Sequence, residues 1–325
     1  MRLIQATSLS SFDDYHIVDA ATPELEDGEV LIRVAACSVG YVDALTALGG
    51  YQVKPPLPFT PGGEVSGVVE GLGPGAPAAL LGVAVSAYVG GGGFRDYAVC
   101  PARGVTPIPA GLSFEQAAAY RTNFATALHG LRDRGRLQPG ERLLVMGAAG
   151  GVGLAAVQLG RLLGAEVIAA ASTNEKRDFA SKHGADHVLD VEPNGWRDRL
   201  KAITGGKGVD VIYDPVCGPL FEPAFRSLAW RGRHLVVGFV GGPIPALPAN
   251  LTLMKGADLI GVDIRQFGLF EPERSKVHQE QLNRWLADGS LSPAVGRVFA
   301  FDQYREALAH AMSGQGLGKA VLLMR

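Results

Sequence analysis

The sequence predicts an α/β protein with two domains, one β-rich and one doubly wound around a parallel sheet. Residues 1–122 contain strand-like runs bounded by Gly, Pro and Asp, which is typical of a β-rich domain. From residue 123 to residue 265 helical stretches alternate with short apolar runs, and this alternation indicates a parallel sheet covered on both faces. A final apolar run is predicted to return to the first domain. The predicted domains are therefore 1–122 with 266–325, and 123–265.

The composition narrows the class of protein. The chain has 325 residues, of which 47% are hydrophobic and 19% charged, and this is a globular composition. The formal net charge of −2 gives no electrostatic case for binding nucleic acid or an anionic membrane. No apolar stretch reaches the roughly 18 residues of a membrane span, and we expect no signal peptide. Three widely spaced cysteines suit a reducing cytoplasm rather than a disulfide framework.

The first domain has recognisable strand and helix signals. Val30–Ala36 and Gly67–Gly71 are predicted strands. The prolines that end the segment Ala44–Pro61 predict a rigid loop without regular helix. Ser113 and Gln116 have the spacing of a capping box, which predicts a helix start near residue 114.

A glycine-rich turn is the strongest functional signal. The apolar run Leu143–Met146 is followed by Gly147–Gly153 and then by an apolar-faced helix. Strand, glycine turn and helix in this order favour dinucleotide binding, because a pyrophosphate needs close access to the N–H groups of a helix start. The alternative is a tight turn of an α/β protein without a nucleotide. The residues expected around the pyrophosphate are Ala148, Ala149, Gly150, Gly151 and Val152.

Further strands and helices complete the pattern. The other predicted strands of the second domain are 166–170, 187–189, 209–213, 234–238 and 259–262. In the tail, one polar helix is predicted over 273–288 and a second over 302–312, before the apolar run 320–323.

Several separate motifs carry a resemblance to a known family. They lie, in order, at residues 49–73, 92–102, 148–153, 184–190, 214–218, 232–239 and 318–322. With them the chain resembles the zinc-free quinone oxidoreductases (zeta-crystallin-like) of the medium-chain dehydrogenase/reductases. The resemblance implies a GroES-like catalytic domain around an inserted Rossmann domain. It also implies a homodimer, joined through the last Rossmann strands near Leu259–Ile264.

The positions of a catalytic zinc site are changed in this chain. Zinc members of the superfamily have Cys in a Cys-x-x-Asp pattern and His in a Gly-His-Glu pattern. Here Gly40 precedes Asp43, and Gly63 stands before Glu64. Glycine offers no side-chain ligand, and zinc needs three or four protein ligands. We therefore expect no metal, and without a Lewis acid the easier reaction is reduction of a conjugated acceptor.

The end of the second predicted Rossmann strand favours NADPH. An NAD site usually carries an acid there, but this strand is followed by Ser172, Lys176 and Arg177. A hydroxyl and two cations suit a 2′-phosphate. The alternative is that Lys176 and Arg177 only solvate a helix face. NADPH-using relatives often have Tyr after a GADHVIN-like run, and here that position is Val191.

Other residues are expected near the nicotinamide. The segment with Asn123 and Thr126 resembles the family segment that faces the ring, although Asn123 is also suited to cap a helix. Lys319 is a further candidate for the cofactor, with a surface lysine as the alternative. Residues that follow the later Rossmann strands join this set: Phe239, Val240, Val262 and Asp263.

Two tyrosines are candidate proton donors. Tyr51 matches the position proposed as donor in related enoyl reductases, and Tyr41 follows Gly40, where many relatives have Asn. For both, the alternative is a half-buried aromatic ring with a satisfied hydroxyl. We predict an NADPH-dependent reductase of a small-molecule quinone or α,β-unsaturated carbonyl. The alternatives are an enoyl-thioester reductase and a catalytically inactive NADPH-binding sensor or interaction module.

Overall fold

The structure is a computed structural model that describes residues 1–324. Its strands are β1 (Arg2–Gln5), β2 (His16–Asp19), β3 (Glu29–Val39), β4 (Glu64–Leu72), β5 (Ala84–Tyr88), β6 (Tyr97–Pro101), β7 (Val105–Pro107), β8 (Arg142–Met146), β9 (Glu166–Ala170), β10 (His187–Leu189), β11 (Val209–Asp214), β12 (Leu228–Val236), β13 (Asp258–Gly261), β14 (Val295–Phe299) and β15 (Lys319–Leu323).

The helices are α1 (Tyr41–Ala47), α2 (Phe114–Ala118), α3 (Arg121–Leu128), α4 (Gly151–Leu162), α5 (Asn174–Lys182), α6 (Trp196–Ile203), α7 (Phe221–Arg226), α8 (Asn250–Lys255), α9 (Ile264–Phe270), α10 (Pro272–Ala287) and α11 (Tyr304–Met312). Short 3₁₀ turns lie at Phe12–Asp14, Ala78–Leu80, Ala102–Gly104 and Phe301–Gln303, and a π-helical turn at His129–Arg134 continues α3.

The chain forms two compact units. The first comprises Met1–Thr122 together with the chain from Pro293 onward, and the second is Asn123–Ser292. The first boundary therefore lies at the predicted position.

The first unit is built on a mainly antiparallel sheet of seven strands. Six of them follow one another in the order β14-β15-β3-β4-β5-β7, and the seventh, β6, pairs with β3. β15 pairs antiparallel with β3, which confirms that the last apolar run returns to this domain. The core includes Ile32, Val65 and Phe94, all fully buried. The predicted capping box is present, since Ser113 Oγ accepts a hydrogen bond from Gln116 N.

The second unit is a doubly wound sheet with helices. Its six parallel strands have the order β10-β9-β8-β11-β12-β13. In chain order this is 3-2-1-4-5-6, so the connections reverse direction between β8 and β11. Ligands of doubly wound sheets bind at the carboxyl ends of the strands beside this reversal. The glycine turn directly follows β8, the strand at that position.

The predicted second domain boundary, at residue 266, is wrong. The structure assigns residues up to Ser292 to the unit with the parallel sheet. Helix α10 is anchored there because Arg274 Nη2 lies 2.6 Å from Asp133 Oδ1 and because His278 and Leu282 are buried. The polar composition of α10 conceals this attachment.

The predicted loop over Ala44–Pro61 is also partly wrong. Helix α1 continues to Ala47, because the prolines begin only at Pro55 and leave the earlier residues free to form hydrogen bonds. The rest of the segment, from Gly50 to Pro61, contains no helix or strand.

Candidate functional site

The glycine turn of the second unit forms a cradle at the start of α4. Gly147 has a positive φ of 61°, and Gly150 is the N-cap of the helix. A Cβ on Gly153 would lie 2.3 Å from the carbonyl oxygen of Gly147, so only glycine permits this close approach of helix and turn. A Cβ on Gly150 would meet nothing closer than 3.6 Å. The first N–H groups of α4 have no partner within the helix and are suited to an anion.

A polar group stands at the carboxyl end of β9, where an NAD site usually has an acid. Lys176 Nζ donates to Ser172 Oγ over 3.4 Å, and Thr173 Oγ1 caps α5 by accepting from the backbone N of Lys176. Arg177 Nη1 donates to the carbonyl oxygen of Ala171 over 2.8 Å, and Arg177 also contacts Asn174. Burial lowers the pKa of Lys176. This edge therefore offers a hydroxyl and an ammonium group to a phosphate.

The other predicted cofactor residues of this unit differ in exposure. Asn123 and Thr126 are buried within α3, which begins at Arg121, so Asn123 is not the N-cap of the helix. Phe239 and Val240 are 40% and 46% exposed on the loop after β12. These two side chains are available to a ligand.

Val262 and Asp263, which follow the last strand of the parallel sheet, are less available to a ligand than Phe239 and Val240 are. Val262 is buried after β13. Asp263 is the N-cap of α9, and its Oδ1 accepts from Arg265 N at 2.9 Å and Gln266 N at 3.0 Å. The carboxylate of Asp263 thus already has a structural role.

In the first unit, Asp43 joins the two glycines that stand at the positions of zinc ligands. Its Oδ2 accepts from Gly40 N over 2.8 Å, and its Oδ1 accepts from Gly63 N over 3.0 Å. A Cβ on Gly63 would lie 3.2 Å from the ring of Tyr88. Asp43 therefore caps the start of α1 and ties it to the loop before β4.

The ammonium group of Lys319 lies beside Gly40. A Cβ on Gly40 would be 2.6 Å from Lys319 Nζ, and this ammonium group forms no ion pair or hydrogen bond within residues 1–324. Its charge nevertheless lowers the pKa values of Asp43 and Glu64, although burial keeps both pKa values raised. The pKa of Glu64 is about 6. A partly exposed cation therefore stands against two carboxylates where zinc enzymes place two metal ligands.

Glu64 is a functional candidate that the sequence analysis did not select. It is 2% exposed; its Oε1 accepts from Thr122 N at 3.3 Å, and its Oε2 is buried without a hydrogen-bond partner among the described residues. The available signal was an acid directly after Gly62-Gly63 at the start of a strand.

The two predicted tyrosines both lie in the first unit, partly buried. Tyr41 begins α1, and Tyr51 follows the helix at the start of the loop. Neither hydroxyl forms a hydrogen bond within residues 1–324. Both side chains are partly exposed, so their hydroxyl groups are open to solvent or to a ligand.

The described residues include neither a metal-binding cluster nor a membrane-spanning helix. Among residues 1–324, no three or more His, Cys, Asp or Glu side chains are grouped closely enough to hold a metal ion. No helix in that range is both long and apolar enough to cross a bilayer. Cys37, Cys100 and Cys217 are buried free thiols.

Both units match known protein families in sequence. Residues 26–110 match the alcohol dehydrogenase GroES-like domain, and residues 151–279 match the zinc-binding dehydrogenase family. A quinone oxidoreductase-like protein 2 homolog of Nematostella vectensis is 34% identical over 93% of this chain and 83% of its own length. The human quinone oxidoreductase is 33% identical over 94% of this chain and 92% of its own length.

A solved structure is similar over the whole fold. The quinone oxidoreductase of Thermus thermophilus, also solved in complex with NADPH, has a TM-score of 0.87 and 32% identity, covering 99% of this chain and 100% of that one. Identity and coverage of this extent show a common family. The chain belongs to the quinone oxidoreductases of the medium-chain dehydrogenase/reductase superfamily.

Proposed function

We propose that this protein is a zinc-independent, NADPH-dependent reductase of quinones or α,β-unsaturated carbonyls. The observation that carries the proposal is the pairing of an open glycine cradle at Gly150 with an acid-free strand end at Ser172 and Lys176. The first suits a pyrophosphate and the second suits a 2′-phosphate. The NADPH complex of the T. thermophilus relative supports the same cofactor.

Different residues of the chain would bind the different parts of the cofactor. The start of α4 would hold the pyrophosphate, and Ser172 with Lys176 would hold the 2′-phosphate. Asn123, Thr126, Phe239 and Val240 would orient the nicotinamide. When bound, NADPH supplies a hydride, and a reductase must then stabilise the negative charge that develops on the acceptor.

We propose that Lys319 stabilises the negative charge that develops on the acceptor. Its N–H donors are unpartnered within the described chain, and a cation at this place stabilises a carbonyl oxygen that gains negative charge. The ammonium charge also lowers the pKa values of the neighbouring Asp43 and Glu64. Tyr51, with Tyr41 as the second candidate, would donate the proton or position a water that does so.

The function is tested by following NADPH oxidation with 1,2-naphthoquinone, a small enone and crotonyl thioester. We expect turnover of the quinone or the enone, with little turnover of the thioester. Tyr51→Phe should lower kcat about 100-fold and leave the free energy of unfolding unchanged, because the lost hydroxyl has no partner within the described chain.

Other results would favour other functions. A preference for the thioester would indicate an enoyl-thioester reductase. Tight NADPH binding without turnover of any acceptor would indicate a sensor or interaction module. Wild-type activity of both Tyr51→Phe and Tyr41→Phe would remove the tyrosines from the mechanism.

Lys319→Met should make stability more dependent on pH. Because burial raises the pKa of Glu64 from 4.5 to about 6, ionisation is disfavoured in the folded state, and stability falls as pH rises through this window. The difference is about 2 kcal/mol for this one group. Without the ammonium, the pKa of Glu64 should rise further. We expect urea unfolding to show a clear loss of stability at pH 8 and little loss at pH 5.

Lys54→Met is the control, since it removes the same charge from an exposed side chain of the same unit. An equal effect of Lys319→Met at both pH values would contradict the proposed electrostatic role.

We propose that the protein is a cytoplasmic homodimer joined along β13. This strand lies at the edge of the parallel sheet and includes Leu259 at 42% exposure, and Leu253 and Met254 lie exposed nearby in sequence. An unpaired strand edge with exposed apolar side chains is suited to pair with a second copy. Sedimentation of the purified protein at twice the chain mass would support this; a monomer at micromolar concentration would refute it.

A further inference from the structure

A buried histidine–aspartate pair lies between β11 and β12 of the second unit. His234 Nε2 is 3.0 Å from Asp214 Oδ2, and the two side chains are 0% and 1% exposed. Phe221 covers the imidazole ring, with 4.7 Å between ring centroids. His234 Nδ1 is buried and has no hydrogen-bond partner among the described residues. In this pair the Asp214 carboxylate accepts the hydrogen bond, and the N–H group at His234 Nε2 donates it.

The second oxygen of Asp214 fixes the turn that follows β11. Asp214 Oδ1 accepts from the backbone N of Val216 over 2.9 Å and from that of Cys217 over 2.8 Å. Cys217 has a φ of 46°, in the left-handed region that a side chain other than glycine rarely adopts. Such a conformation persists only where its surroundings impose it. The two hydrogen bonds to Asp214 are among the contacts that hold this conformation.

The turn after β11 is hydrogen-bonded to the loop that carries Phe239 and Val240. Two backbone hydrogen bonds join them, from Val240 N to Pro215 O at 3.4 Å and from Gly241 N to Val216 O at 2.8 Å, and a third runs from Val237 N to Asp214 O, at the end of β11, at 3.0 Å. The join is close, since a Cβ on Gly241 would lie 2.7 Å from the Cα of Gly218. A change at the buried pair is therefore passed to the exposed loop through backbone contacts.

The same turn also touches the glycine cradle. A Cβ on Gly147 would lie 2.9 Å from Val216 Cγ2, so the valine packs directly against the turn after β8. The Pro215–Gly218 turn thus contacts both the glycine turn after β8 and the loop of Phe239 and Val240. The turn itself is held by hydrogen bonds to Asp214, which is paired with His234.

We propose that Asp214 and His234 are positioning residues, which set the loop of Phe239 and Val240 for the nicotinamide by fixing the Pro215–Gly218 turn. The proposal rests on the proposed function for the identity of the ligand. Neither residue can touch a ligand itself, because both side chains are fully buried. Their effect should fall on the orientation of the nicotinamide more than on affinity, since the phosphate contacts lie at Gly150, Ser172 and Lys176.

The test compares His234→Leu with His234→Gln. Leucine removes the donor and leaves a buried carboxylate oxygen unpaired, whereas glutamine restores an N–H donor. For His234→Leu we expect kcat to fall at least ten-fold, with the Kd of NADPH, measured by fluorescence, changed less than three-fold. For His234→Gln we expect kcat to recover most of the loss.

Hydrogen exchange of the protein without cofactor supplies a second measurement. In His234→Leu the amides of Val240 and Gly241 should exchange at least ten-fold faster than in the wild type, because their acceptors, Pro215 O and Val216 O, lie on the released turn. Leu200→Ala is the control: it opens a cavity in the same core, far from the turn in sequence, and should lower stability without this local change. Wild-type exchange at 240–241 in His234→Leu would overturn the proposal, as would an equal fall in kcat for Leu200→Ala.

Two further outcomes keep the test decisive. If His234→Leu does not fold, His234→Phe replaces it, since the phenyl ring fills the space of the imidazole without offering an N–H donor to Asp214. Wild-type exchange and kcat in that variant would likewise overturn the proposal. If the wild type reduces no acceptor, the proposed function fails, but exchange at 240–241 still decides whether the pair fixes the loop.

Discussion

Gly150→Ala should weaken NADPH binding about 100-fold while the protein remains folded. The added methyl group would enter the space above the start of α4 that we assign to the pyrophosphate, and it would keep the phosphate from the helix N–H groups. The fold should tolerate it, because Gly150 has an ordinary φ of −80° and the nearest atom to the new Cβ lies at 3.6 Å. Fluorescence titration with NADPH and thermal unfolding measure the two effects separately.

Gly153→Ala is the contrasting variant. Its Cβ would collide with the carbonyl oxygen of Gly147, at 2.3 Å, so helix and turn must separate. We expect a loss of about 1–3 kcal/mol in stability in addition to the loss of binding. Gly268→Ala, with no atom within 4 Å of the new Cβ, should leave NADPH affinity unchanged and should not lower stability, because alanine favours the interior of helix α9. Unaltered NADPH affinity in Gly150→Ala would show that the pyrophosphate does not bind at this helix start.

Lys176→Glu should reverse the preference between the two cofactors. The variant places a carboxylate beside Ser172, where it repels a 2′-phosphate and can accept hydrogen bonds from the ribose hydroxyls of NADH. We expect kcat/KM for NADPH to fall about 100-fold, which corresponds to about 2.7 kcal/mol of lost interaction, and kcat/KM for NADH to remain or to rise. Steady-state kinetics with both cofactors measure the ratio.

Two controls separate this effect from general electrostatics. Lys182→Glu makes the same change of charge at the far end of α5 and should leave the cofactor ratio unchanged. Arg177→Met should have a smaller effect than Lys176→Glu, because the guanidinium group is already bound to Ala171 O and Asn174. A cofactor ratio that moves equally in Lys176→Glu and Lys182→Glu would contradict the assignment of the 2′-phosphate.

The elements that are predicted correctly from the sequence are those determined by residues close together in the chain. The strands Glu166–Ala170 and His187–Leu189 have the predicted bounds, because each is an apolar run between clear turn signals. The glycine turn after Met146 is equally local, since a strand, a turn and a helix start follow one another directly. In such segments the chemistry of a few neighbouring residues determines the structure.

Tertiary contacts explain what the sequence does not predict. Helix α10 belongs to the second unit because buried His278 and Leu282 attach it there, and its overall polarity gives no sign of this. The group of Asp43, Glu64 and Lys319 brings together residues that are remote in sequence, so no spacing indicates it. The pairing of His234 with Asp214 likewise depends on the register of β11 and β12.

The position of Lys319 bears on how readily a metal enzyme of this superfamily could evolve again from this chain. A cysteine at position 40 would bring its Cβ to within 2.6 Å of the Lys319 ammonium group, so the end of the lysine side chain would have to move aside. A histidine at position 63 would press on Tyr88 at 3.2 Å. A cysteine and a histidine at these two positions would therefore each displace a neighbouring side chain. Displacing the lysine would also move its charge away from Asp43 and Glu64, whose pKa values it lowers, so the two glycines and the three charged groups are expected to change together.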